Sequence, residues 1–434
     1  MEEEKKNWFL QWMEKPWIRT IAIILVISMI TGIAGHGIYL RKMNRKYAEA
    51  EAARLKQEQL DQRRQADFDA AYENVRKAIE EKDYASAIEK LEACLALADP
   101  GSTVETELLT TRASLNILLG NSEEAKSDLD QAALGDENSP VILLLKSQIE
   151  VEQENYDTAQ SDMEKYLELE PDNYDVRLSL TQLYEMTGQY SAAAESYMAL
   201  QKLRPTDKSI EINAGRCLIL AQRLTEAQAI LEPILENQDS PEIGTAYFLR
   251  AMIRMQNSDF SGAIEDYTDA IEGGYDARVC LEQITACAFV LGDHNAVLEC
   301  EKSYLALWPE GSSAASFYQQ VGISAMTLKN YDHAEKSLTR SLDLNPEYPG
   351  TYYYRALTRF SGSQWELAAE DFSSSISHNY MADNSYYNRG LCYAQMKDLE
   401  NACADLEKAS QGEDQEIVEA AKLLLPEIQK GLNP

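Results

Sequence analysis

A small residue returns along this chain at an almost constant interval, and that period constrains the fold more than composition does. Ala87, Ala125, Ala159, Ala193, Ala227, Ala263, Val297, Ala334, Ala368 and Ala402 lie 38, 34, 34, 34, 36, 34, 37, 34 and 34 residues apart. A phrase repeats around them: NYDTAQSDMEKYLELEP at 155–171 returns as NYDHAEKSLTRSLDLNP at 330–346. A 34-residue period has room for two helices and a turn, and one such pair cannot bury its apolar face alone. The chain must therefore stack its pairs on one another.

Three residues before most marks stands a large ring: Tyr84, Tyr156, Tyr190, Phe260, Tyr331 and Trp365. Twelve residues after four of them, Pro171, Pro205, Pro309 and Pro346 stop the second helix, because proline has no N–H to continue it. Gly215, Ala251, Gly322, Ala356 and Gly390 occupy one register position of the first helix, as close approach requires. Through these residues the body, 67–412, resembles the tetratricopeptide repeat family, less closely in unit two, which lacks the ring, and in unit seven, where Val297 replaces alanine. The resemblance implies an all-α, right-handed α-solenoid of about ten antiparallel helix pairs whose first helices line a concave groove. Residues 413–434 read as a capping helix that Pro426 would kink or end. Extra residues at 100–107, 237–244 and 309–316 read as loops, with a soft joint expected near 237–244.

In this family the fifth and ninth residues of each first helix usually face the groove. Carried over, the fifth positions are Tyr72, Thr110, Leu144, Leu178, Ile212, Phe248, Glu282, Gln319, Tyr353 and Tyr387, and the ninth include Arg76, Arg216, Met252, Ile323, Leu357 and Leu391. The resemblance thus implies a largely apolar lining suited to a protein or peptide segment, with Phe248, Met252, Tyr353, Leu357, Tyr387 and Leu391 as its candidate contacts. The competing reading places the same side chains in the core between repeats. No fifth position is Lys or Arg, so the carboxylate clamp of chaperone adaptors is not matched.

Ahead of the repeats lie a polar and aromatic tail (1–17), an apolar run (18–40) and a charged helical stalk (41–66). The run IRTIAIILVISMITGIAGHGIYL carries charge only at Arg19 and is long enough, at about 1.5 Å per residue, to cross a hydrocarbon core of about 30 Å. It reads as a retained transmembrane helix. Basic residues number four up to and including Arg19 at its start and six in the flank to residue 60, which tips the repeats toward the cytoplasm. Ser28 with Gly32, and Thr31 with Gly35, are spaced for weak self-association of the span. The stalk sustains no heptad, so no coiled coil is expected.

The formal net charge is −32, and residues 67–434 hold 28 Lys/Arg against 64 Asp/Glu. Such a body repels phosphate backbones, so nucleic acid is not an expected partner. Seven scattered cysteines without a Cys-x-x-Cys pair read as core filler in a reducing compartment. Phosphate-cradling, nucleophile-elbow and zinc-protease motifs are absent, and His36, His294, His333 and His378 lack metal-ligand spacing from one another. The expectation is therefore a non-enzyme without cofactor or metal. Two readings stay open: a membrane-tethered interaction scaffold with a cytoplasmic body, or an extracytoplasmic component of envelope or secretion-machine assembly with the same fold.

Overall fold

The computed structural model describes residues 15–432, in which there are twenty-one helices and no strand. The chain divides into two compact units, 1–171 and 172–434. In the first, helix α1 (Pro16–Glu80) packs its last turns on α2 (Tyr84–Leu97), followed by α3 (Thr103–Leu119) with α4 (Ser122–Ala133) and α5 (Pro140–Glu152) with α6 (Tyr156–Leu169). The second holds the pairs α7 (Tyr174–Met186) with α8 (Tyr190–Leu203), α9 (Lys208–Leu220) with α10 (Leu224–Leu235), and α11 (Ile243–Gln256) with α12 (Phe260–Glu272). There follow α13 (Ala277–Val290) with α14 (His294–Leu307), α15 (Ala315–Thr327) with α16 (Tyr331–Leu344), α17 (Pro349–Ser361) with α18 (Trp365–Ser377), and α19 (Ala382–Gln395) with α20 (Leu399–Ala409). Helix α21 (Gln415–Leu432) closes the unit against the last pair. This is the all-α solenoid expected, with ten helix pairs.

All ten register residues, Val297 included, are 0% exposed. Close approach at Gly322 shows why: a methyl there would stand 2.5 Å from Leu338 Cγ, four residues past the mark Ala334. Helices α6, α8, α14 and α16 each end two residues before their proline. Five residues before every mark the backbone turns left-handed, at Lys82, Gly120, Glu154, Gly188, Gln222, Ser258, Gly292, Lys329, Ser363 and Lys397. The next residue then caps the second helix; Asp83, Asp259, Asp293, Asn330 and Asp398 accept a backbone N–H there.

Several boundaries differ from those expected. The residues read as span and stalk and the first repeat's opening helix are one unbroken helix of 65 residues, with Pro16 in its first turn. Its length is about 100 Å at 1.5 Å per residue. Between Arg41 and Asp67 it is exposed almost throughout, carrying i,i+4 pairs such as Arg45–Glu49 (2.9 Å); Arg64 donates to the Leu97 carbonyl at 2.9 Å, and apolar packing begins at Phe68. Among the described residues no helix is long and apolar enough to cross a membrane. The side chains of 25–40, including Ser28, Thr31, Gly32 and Gly35, and the tail to residue 14 lie outside the description, so the anchor stays a reading of the sequence. Helix α21 starts at Gln415 and runs through Pro426 to Leu432, so that proline does not end it. The loop read at 100–107 is helical from Thr103, because Ser102 caps α3 and accepts the Glu105 N–H at 3.2 Å. Residues 237–244 lie inside the second unit.

Candidate functional site

Residues fifteen, eleven and seven before a mark are one helical turn apart and so share one face of each first helix. The six candidate contacts sit on this face in pairs: Phe248 and Met252 on α11, Tyr353 and Leu357 on α17, Tyr387 and Leu391 on α19. The three pairs do not converge on one pocket. The Phe248 ring stacks on Tyr275 at 4.2 Å and tilts against Tyr267 at 5.4 Å, inside the core between α11, α12 and α13. Tyr353 is 8% exposed and meets the rings of Tyr354, Phe372 and Tyr380 at 5.5–6.0 Å. Burial raises its phenol, which stays protonated at neutral pH. Tyr387 packs against the buried cluster of Leu406 and Ala409 of α20 and Ala421 of α21. Met252, Leu357 and Leu391 are half-buried and keep surface facing solvent.

The third position of the same face escapes a reading confined to fifth and ninth residues. There Met186, Leu220 and Val290, in the last turns of α7, α9 and α13, are 66%, 41% and 59% exposed. Their signal in the sequence was the register alone, seven residues before Ala193, Ala227 and Val297. Two polar members of the face, Arg216 and Glu282, are internally engaged. Arg216 donates to Glu185 at 2.5 Å, and Glu185 also accepts from the Cys217 thiol at 3.0 Å. Glu282 accepts from Tyr304 Oη at 3.1 Å and Ser312 Oγ at 2.6 Å.

A second recurring constellation, not singled out from the sequence, ties four of the helix pairs together. Arginines thirteen residues before the mark donate from Nε and Nη2 to both oxygens of an aspartate three residues after it. The pairs are Arg112–Asp128 (2.8 and 2.6 Å), Arg250–Asp266 (2.9 and 2.5 Å), Arg355–Asp371 (2.8 and 2.7 Å) and Arg389–Asp405 (2.7 and 2.8 Å). Each aspartate is at most 5% exposed. In the last two pairs Nη1 also reaches back sixteen residues, to Thr339 Oγ1 (3.2 Å) and Ser373 Oγ (2.8 Å) of the preceding second helix. These are joints between helices.

The cysteines are free thiols, six of them buried. Burial pushes Cys217 and Cys392 up to about 12 and Cys280 and Cys287 to about 11, so at neutral pH they are protonated core side chains and poor nucleophiles.

Family models of the tetratricopeptide repeat match residues 150–210, 215–277, and 315–348 with 383–411. Among solved structures, the chain is similar to Naa15/Naa10 bound to HypK-THB, at 14% identity over 82% of this chain and 65% of that one, with a TM-score of 0.48. It thus spans under two thirds of that relative's length. It is also similar to the APC/C hetero-tetramer Cut9–Hcn1, at 14% identity over 84% of each chain and a TM-score of 0.38. The C-terminal part of a repeat-containing protein from Cytophaga hutchinsonii aligns at 15% identity over 55% of this chain and 97% of that one, with a TM-score of 0.44. No curated protein matches the sequence.

Proposed function

From a chain built of tetratricopeptide repeats, we propose a membrane-tethered interaction scaffold that holds protein or peptide segments along the shared face of its first helices. The observation that carries this reading is the uncovered aliphatic side chains of Met186, Leu220 and Val290, at one register position of three first helices. Apolar surface left uncovered on such a face is what an amphipathic segment would bury, one side chain per pocket. Half-buried Met252 and Leu391, one turn earlier, extend the same face.

Tethering rests on the apolar run 18–40, which leads into the stalk without a break in the helix. Six basic residues in the downstream flank against four up to Arg19 at the start of the run favour a cytoplasmic body. The reading is non-enzymatic, on the lack of catalytic motifs and on thiols held protonated.

The test places a photo-crosslinking residue at Met186, Leu220 or Val290 of the tagged full chain in cells, with Leu367 of α18, which is 42% exposed, as control. Discrete products are expected from the first three positions, and Met252→Glu, on α11 packed beside α9, is expected to reduce the product from Leu220 about tenfold or more. Equal products from Leu367, or none from any position, would reject the face. Protease treatment of intact cells decides the side: a C-terminal tag protected until lysis is expected, and its loss from intact cells would favour envelope assembly instead.

A further inference from the structure

Five repeats carry a cation thirteen residues before the mark and an aspartate three after it, and in one of the five the two do not meet. In repeat three the cation is Lys146, not arginine. Its Nζ reaches back sixteen residues to Asp130 Oδ1 at 2.7 Å, the direction in which Arg355 and Arg389 send their Nη1. An arginine can serve both directions with separate nitrogens of its fork, whereas an ammonium is a single point that must choose. The aspartate that would close the pair, Asp162, is therefore left without the bidentate partner that Asp128, Asp266, Asp371 and Asp405 have. Its nearest cation is Lys165 Nζ at 3.9 Å, one turn along the same helix and beyond hydrogen-bond distance, although the Asp162 side chain is only 14% exposed.

The unfilled position is a cavity of about 220 Å³ lined by Lys126 and Asp130 of α4, Lys146, Ile149 and Glu150 of α5, and Thr158 and Asp162 of α6. Its other charges are matched within the chain: Lys126 donates to Glu150 at 2.8 Å and Lys146 to Asp130. That bond holds the Glu150 carboxyl below its ordinary range, while burial raises Asp162. One half-buried carboxylate is left over, in a space that four sister repeats fill with a guanidinium.

We propose that this cavity is a docking site for an arginine side chain of a protein partner, seated on Asp162 as the chain's own arginines sit on Asp128, Asp266, Asp371 and Asp405. The fork of a guanidinium matches both carboxylate oxygens, so arginine is selected over lysine. The site opens between the second helices α4 and α6 over α5, uses none of the first-helix residues proposed above, and stands or falls separately from them.

The probe is N-acetylarginine amide, titrated at fixed ionic strength into the full chain in detergent and followed on the δ1-methyl resonance of Ile149, which lines the cavity. A saturable shift is expected, with the neutral analogue N-acetylcitrulline amide and N-acetyllysine amide each at least tenfold weaker. Lys146→Arg supplies the missing fork internally, and should abolish the shift while leaving the melting temperature unchanged or higher. Asp162→Asn should abolish it as well; were that variant to unfold, Lys146→Arg decides alone. No saturable shift in the wild type, equal binding of the citrulline analogue, or an undiminished shift in Lys146→Arg would overturn the proposal.

Discussion

Asp371 is 3% exposed and accepts from two guanidinium groups, Arg355 at 2.7 Å and Arg359 at 2.8 Å. Removing a buried carboxylate strands its partners, which costs more than the net worth of the pair. Asp371→Ala is therefore expected to destabilise the second unit by about 3–5 kcal/mol in urea unfolding. Glu49→Ala, on the exposed stalk pair with Arg45, should change stability by less than about 1 kcal/mol. Equal small effects would show that the buried pairs act as surface pairs. The aspartates of this constellation were not legible in the sequence, where charged residues on helices read as solvated faces. Their arginines lie sixteen residues away, and only the folding back of one helix on another brings them within reach. The small residues at the marks were legible, because a side chain confined at a helix crossing must be small in every copy.

At the scale of the helix pair, α15 and α16 approach closely at Gly322. A methyl at Gly322 would lie 2.5 Å from Leu338 Cγ and 3.2 Å from its backbone N, whereas at Gly215 the nearest atom is the mobile Cδ2 of Leu231 at 3.1 Å. Gly322→Ala is expected to cost roughly 1–3 kcal/mol, and Gly215→Ala less, in thermal or urea unfolding of the full chain. A reversed order would contradict the packing. Rings, prolines and small residues made this register readable. The turn within each pair was less so: all ten use a left-handed residue, yet only Gly120, Gly188 and Gly292 are glycines. At Lys82, Glu154, Gln222, Ser258, Lys329, Ser363 and Lys397 the packing of both helices outweighs the roughly 1–2 kcal/mol preference against that conformation. The face of the first helices divides similarly. Its positions follow from register, but whether a ring such as Phe248 or Tyr387 lines a groove or fills a core depends on neighbours such as Tyr275 and α21.

At the scale of the molecule, the second compact unit holds seven complete helix pairs and its closing helix. A fragment of residues 172–434 is expected to fold alone, with a helical circular dichroism spectrum and one cooperative thermal transition, since each repeat draws its stability from immediate neighbours. A broad or absent transition would show that it needs residues 1–171. By itself the sequence determined the all-α class, the number and register of the repeats and the small residues at their crossings, because these are local patterns restated in every copy. Tertiary structure alone decided where the chain divides, that stalk and first repeat share one helix, which apolar side chains stay uncovered, and that Asp162 lacks the guanidinium its counterparts have. Each depends on which atoms of distant residues come within a few ångströms of one another, and a repeat period does not encode that distance.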